Sequence, residues 1–399
     1  MRAADIVWHL CSKVAPLIDR RRVVLLGIVV DALVRGGRLG LTALGRALSS
    51  AAAPKHRIKR VDRLLGNIHA QQEIVVWFAT LAKRLLRKKR RPIILIDWTQ
   101  TVGNCHALVA AVAFRGRALP IYLEVHREKK LANRKVHRSF LHQLRTILPD
   151  GSKPVVVADA GFKTPFFVEC QNLGWDFVIR LRGRCKLRQW LPRRFLSFKE
   201  VFAVAGQWAR DLGVWTPYST QVHFHSRVIL GPKPAAATHR RRKPNYEQRR
   251  ALEPWLLATT LKTETPSRII SIYAQRMQIE ETFRDTKNHR FGWAFDLARS
   301  NDPNRQAVLL LVACLAFAAL LLAGDAAEQL GYAPRHQANT VRTRRVLSLI
   351  RLGALALAPD QPSIPVRKIS KCRLLLEYYV EQPRQLRLLL TRFFRGKWR

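Results

Sequence analysis

Acidic residues are scarce in this sequence: 27 Asp and Glu stand against 71 Lys and Arg in 399 residues, a formal charge of +44. That excess, spread from end to end, is more than solubility needs. It calls for a polyanionic partner, and nucleic acid suits a large folded chain better than a membrane surface does. Paired cysteines are missing too. Cys11, Cys105, Cys170, Cys185, Cys314 and Cys372 are scattered with no C-x-x-C among them, which argues against a zinc site or a disulfide framework and fits a reducing cytoplasm. No internal repeat is visible, and residues 1–19 mix charges into their apolar positions, unlike a signal peptide. Long hydrophobic runs are confined to residues 307–323, flanked by Arg305 and Asp325. At 17 residues this run is at the short limit for a membrane span, and it reads as a buried core helix.

What is present points to a folded protein of two or three domains, with 48% hydrophobic residues. Residues 1–88 read as helical, with apolar positions at helical spacing over 6–18 and 23–33, a break at Gly36-Gly37, and Thr42 as the N-cap of the next helix. A break at 49–54 precedes a basic helix over 55–65. Helix-turn-helix readers have this layout, with Lys55, Arg57, Lys59, Arg60 and Arg63 available to DNA; an ordinary bundle with a solvated basic face has it as well. KRLLRKKRR at 83–91 reads as a basic hinge.

From Pro92 the period changes. Strands over 93–96, 107–114 and 118–125, the last two joined by a hairpin at Arg115-Gly116-Arg117, precede a helix over 136–148. A strand over 154–158, a helix over 164–173 and a strand over 177–181 complete a βββαβαβ run. Asp97 and Asp159 fall at strand ends, where open α/β sheets place their ligands. Residues 184–257 read as a largely β insertion containing an exposed basic strap, HRRRKPNYEQRR, with Arg240, Arg241 and Arg242.

The segment YAQRMQIEETFRDTK at 273–287 lacks Gly and Pro and predicts one helix. On it Tyr273, Arg276, Glu280, Arg284 and Lys287 share a stripe, while Glu281 points about a quarter-turn away. On its own this also suits a solvated face laced with i,i+4 pairs. Together with Asp97 and Asp159, however, Glu280 makes three carboxylates from separate rigid elements, which is what a two-metal phosphoryl-transfer site requires.

The joint pattern resembles a known family. Tyr273, Arg276, Glu280 and Lys287 match without gaps the tyrosine-arginine-glutamate-lysine signature of the bacterial cut-and-paste insertion-sequence transposases of family four. Asp97-Trp98-Thr99 and Asp159-Ala160-Gly161-Phe162 are similar to that family's two aspartate motifs. Further similarity to the subgroup typified by insertion sequence ten lies in IKRVDRLLGN at 58–67, EPWLLAT at 253–259, MQIEETFRD at 277–285 and QANTVR at 337–342.

The resemblance implies an α/β multidomain protein with a ribonuclease-H-like core, a mixed sheet flanked by helices. The implied division is a helical DNA-binding domain at 1–88, the core at 89–183 and 258–330, a mainly β insertion at 184–257, and a basic helical C-terminal region at 331–399. It implies that Asp97, Asp159 and Glu280 hold two Mg²⁺ or Mn²⁺ ions, and that Tyr273, Arg276 and Lys287 contact phosphates; Arg284, outside the signature, is a candidate phosphate contact by its place on the same stripe. Trp255 matches an aromatic residue that stabilises a flipped base during hairpin formation. Double-stranded DNA, as transposon ends and target, is the implied partner of a cytoplasmic, nucleoid-associated homodimer working on paired ends away from membranes. A non-cleaving repressor of the same descent and a structure-specific ribonuclease-H-like nuclease are the alternatives.

Overall fold

A computed structural model describes residues 2–11, 17–183, 186–189, 194–217, 224–234, 253–338, 340–341 and 344–358. The chain opens with α1 (Ala3–Leu10), where the Asp5 carboxylate accepts from the Arg2 N–H at 2.9 Å, and α2 (Arg20–Val34), capped by Asp19. The helix α3 (Leu41–Ala47) begins before the expected cap. Gly40, extended, accepts from the Leu44 N–H, so Thr42 lies inside the first turn. Next is α4 (Pro54–Gly66), started by proline at its first position. It crosses α3 closely, because a Cβ on Gly45 would stand 2.5 Å from the Ile58 Cα. Then come α5 (Ile68–Gln72) and α6 (Ile74–Leu85), which takes in the first residues of the expected hinge.

The βββαβαβ expectation matches β1 (Ile93–Gln100), β2 (Cys105–Phe114), β3 (Arg117–Arg127), α7 (Arg134–Ile147), β4 (Val155–Ala158), α8 (Thr164–Asn172) and β5 (Asp176–Leu181). Arg115 and Gly116, between β2 and β3, have φ of 48° and 97°, the left-handed pair that a two-residue hairpin needs. The strands β6 (Lys186–Gln189), β7 (Arg194–Ser197), β8 (Arg210–Pro217) and β9 (Ser226–Leu230), with α9 (Phe198–Ala203) among them, precede β10 (Leu256–Thr259). They extend the same sheet, because β9 pairs antiparallel with β10 and β10 with β5. The ten strands run β3-β2-β1-β4-β5-β10-β9-β8-β6-β7, with β1, β4 and β5 parallel and their other neighbours antiparallel.

Four helices follow: α10 (Pro266–Ala274), α11 (Met277–Lys287), α12 (Pro303–Gln329) and α13 (Leu349–Ala356). The apolar run is the heart of α12, and 94% of its most hydrophobic window is buried by the protein itself. A helix apolar on every side needs neighbours on every side; here they are α1, α2, α4, α5, α6, β3 and α13. Its contact with α13 is backbone on backbone, since a Cβ on Gly324 would stand 2.0 Å from the Leu349 carbonyl oxygen. Hydrophobic burial is continuous from Ala3 to Ala356, so the N-terminal helices and the sheet share one core. The strap with Arg240, Arg241 and Arg242, Cys185 and Cys372, residues Asn339 and Arg342 of the QANTVR motif, and residues 359–399 lie outside the described residues.

Candidate active site

The parallel core of the sheet sets the first two acids side by side. Ile96 of β1 pairs with Ala158 of β4, and one residue further on stand Asp97 and Asp159. The sequence expectation put Asp97 at a strand end. Instead β1 continues to Gln100, because past Ile96 it still pairs with β2, Asp97 opposite Val109; only the parallel partner ends there. Asp159 begins a tight turn in which its Oδ1 accepts from the Gly161 N–H at 2.7 Å. A Cβ on Gly161 would meet that oxygen at 2.9 Å, while Phe162, fully buried, anchors the turn.

The third acid arrives on α11, and the single predicted helix is broken just before it. Gln275 and Arg276 donate to the Ile272 and Tyr273 carbonyls, three residues back, so the chain tightens and restarts as α11. No Gly or Pro marks this break. Its effect is to turn Arg276 inward: the guanidinium bonds Asp97 Oδ2 through Nη1 at 2.6 Å and Glu280 Oε1 through Nη2. Glu281, as its angular offset predicts, faces away and pairs with Arg284 at 2.8 Å.

The hairpin tip fixes where α11 lies. Thr282 Oγ1 accepts from the Ala118 N–H at 2.9 Å and donates to the Ala118 carbonyl at 2.8 Å, the two bonds a neighbouring strand would make. Gln278 Oε1 accepts from the Gly116 N–H, and Arg117 pairs with Asp285 at 2.5 Å. On the other side of the tip, Arg115 pairs with the fully buried Asp325 of α12 and with Glu328, which also receives Arg345 at 2.9 Å. One hairpin therefore holds both helices.

Electrostatically the acids depend on cations. Burial pushes the Asp97 carboxyl up to about 7; Arg276 opposes this, while Asp159 and Glu280 add repulsion. Arg276 is itself destabilised by burial, but Asp97, Tyr273, Glu280 and Asp159 more than compensate and raise its pKa. Among the described residues no three acid, His or Cys side chains are closed to the spacing of ligands on one ion. The guanidinium lies between Asp97 and Glu280 instead. Hard oxygen donors from three rigid elements, mutually repelling unless a cation stands among them, are the donor chemistry of Mg²⁺ or Mn²⁺, so the residues fit such an ion.

Lys287 reaches the same face, donating to Thr99 Oγ1 at 2.8 Å, and burial lowers its pKa. Tyr273 is only 1% exposed. Its ring packs edge-on against half-buried Trp255 at 4.9 Å, and burial raises the pKa of its hydroxyl while the neighbouring Arg276 and Arg180 oppose this, leaving little surface for phosphate. Arg284 is exposed and paired with Glu281, off the acid cluster.

Comparison with known families finds the one described as Transposase DDE domain, matching residues 88–317, more than half of the chain. This chain is a DDE transposase. No curated protein matches it. Membership makes it an enzyme of DNA transposition and recombination, makes DNA its partner, and implies dependence on a divalent metal ion, typically Mg²⁺.

The transposase spreads its N-terminal basic residues unevenly. Lys55, Lys59 and Arg63 are exposed on α4 and Arg60 is half-buried, while Arg57 bonds the Leu48 carbonyl at 2.7 Å and closes the end of α3. Lys59 also pairs with Asp62, which Arg305 of α12 holds at 2.7 Å. Sequence reasoning missed two residues near the site. His137 of α7 accepts from Trp98 Nε1 at 2.9 Å, directly behind the acids, and nothing in its local sequence marks it. Arg180 of β5 sits among Tyr273, Glu253, Arg182 and Arg276; the alternation in Arg180-Leu181-Arg182 was the signal available.

Proposed function

We propose that this transposase is a cut-and-paste enzyme of insertion-sequence family four, of the subgroup resembling insertion sequence ten. It binds the terminal inverted repeats of its element through residues 1–88, with Lys55, Lys59, Arg60 and Arg63 on phosphates or base edges and the strap at Arg240, Arg241 and Arg242 along the duplex. The observation that carries this reading is the meeting of Asp97 and Glu280 on one guanidinium, with Asp159 adjacent.

Asp97, Asp159 and Glu280 would hold two Mg²⁺ or Mn²⁺ ions, which supply positive charge to the scissile phosphate and lower the pKa of the attacking oxygen. The chain's own groups position the DNA. Arg276 and Lys287 grip phosphates beside the cut, Tyr273 braces Arg276 and Trp255, and Trp255 stacks on a base turned out of the helix. Water cleaves one strand and leaves a 3′-hydroxyl. That hydroxyl attacks the opposite strand, displacing a 3′-oxygen and closing a hairpin; a second water reopens it, and the freed 3′-hydroxyl joins to target DNA. In each transfer the attacking oxygen loses a proton and the leaving oxygen gains one. Two ends held together call for a homodimer, each subunit cutting the end bound by the other. The site of action is the cytoplasm, at the nucleoid.

The test is Mg²⁺-dependent nicking of a duplex carrying the inverted repeat that borders the coding region. Glu280→Gln should lose at least about a thousandfold in rate, the scale of a lost essential catalytic group, and still bind DNA, while Glu281→Gln stays within about tenfold of wild type. The opposite ranking would move the third ligand to Glu281. Binding without any cleavage by wild type would favour a repressor, and nicking of branched DNA without strand joining a structure-specific nuclease.

A further inference from the structure

Arg180 lies outside the motifs quoted above, yet strand register puts it in line with the acids. Ile96 of β1 pairs with Ala158 of β4, and Ala158 with Ile179 of β5; the next residues are Asp97, Asp159 and Arg180. Side chains alternate along strands, so these three leave the same face of the sheet. On the far side Arg180 pairs with Leu257 of β10, and Trp255, two residues from Leu257, belongs to that face too. Strands lie about 5 Å apart, so Arg180 stands one strand beyond Asp159, between the acids and Trp255.

Its surroundings are cationic. Burial lowers the Arg180 pKa, Tyr273 and Glu253 oppose this, and Arg182 and Arg276 add repulsion. A guanidinium nevertheless keeps its proton, so the burden falls on the fold. Glu253 is already bonded to Arg182 at 3.2 Å. The Nε atoms of Arg180 and Arg276 are both buried without a hydrogen-bond partner among the described residues. Two half-buried guanidiniums, each with one buried and unused Nε donor, cost stability in the free protein, and a phosphate drawn to their accessible side relieves that cost.

We infer that Arg180 binds the backbone phosphate lying between the phosphodiester at the acids and the base held by Trp255, and so sets the register of the strand being cut. This rests on the transposase reading above.

The experiment uses full-length protein and end duplexes from the bordering inverted repeats, each carrying one neutral methylphosphonate linkage near the cut. Wild type should be slowed about tenfold by one such linkage, the loss expected for one charge-assisted contact. Arg180→Gln should be about tenfold slower on unmodified DNA, indifferent to that linkage, and lower in the salt slope of binding by about one. A folded Arg180→Gln that nicks like wild type, or feels every linkage as wild type does, overturns the proposal. Should Arg180→Gln not fold, Arg180→Lys decides: reduced sensitivity at that one linkage supports the contact, and an unchanged profile overturns it. Glu280→Gln serves as the control. If it still nicks, the catalytic assignment fails whatever Arg180 does; if it binds without nicking, a negative result at Arg180 counts against Arg180 alone.

Discussion

His137 lies against Trp98, Phe162 and Phe166, and burial first, then nearby His126, pushes its pKa down to about 4 from the ordinary 6.5. The neutral ring is what accepts from Trp98. An unfolded chain takes up a proton here as pH falls through 6.5, while the folded chain resists it until about 4, so the stabilisation is complete above 6.5 and is lost progressively toward 4. Wild type should lose on the order of 2–3 kcal/mol through this group between pH 7 and pH 4, read by urea unfolding, and His137→Gln should flatten the slope. Equal slopes would remove His137 as the cause. The meeting of Asp97 and Glu280, with Asp159 adjacent, was foreshadowed in the sequence because each acid sits in a short motif of its own. His137 and Arg180 were not, because their roles arise from strand and helix neighbours far away in the chain.

Among elements, α11 carries the most. Thr282→Val keeps the shape of the side chain and removes both bonds to Ala118, leaving a buried N–H and C=O unpaired; the cost should be about 1–3 kcal/mol, seen as a lower melting temperature. Nicking by the folded variant should also fall, because Glu280 and Arg276 travel with this helix. Unchanged nicking would mean that the hairpin tip does not position the site. Helical periodicity over 273–287 foretold the stripe of charges but not the break at Gln275. The break accompanies the pairing of Arg276 with Asp97, a contact far away in the chain, and no residue with weak helix propensity announces it.

For the whole molecule, the shared core changes what the N-terminal helices are. A basic helical segment before a hinge reads as a detachable module, yet α1, α2, α4 and α5 cover α12. Composition showed that α12 needed burial; it could not show by what. Residues 89–399 alone should therefore fail to melt cooperatively and should accumulate as insoluble protein. A soluble fragment with a sharp transition by calorimetry would show that the sheet and α12 suffice. The hairpin tip has one more consequence. Strand β3 ends the sheet, and an open strand edge invites another chain to add on. By satisfying Gly116 and Ala118, α11 closes part of that edge, so the helix that brings the third acid also guards against fibril-like stacking. Damage there should surface as aggregation during expression before any loss of cutting can be measured.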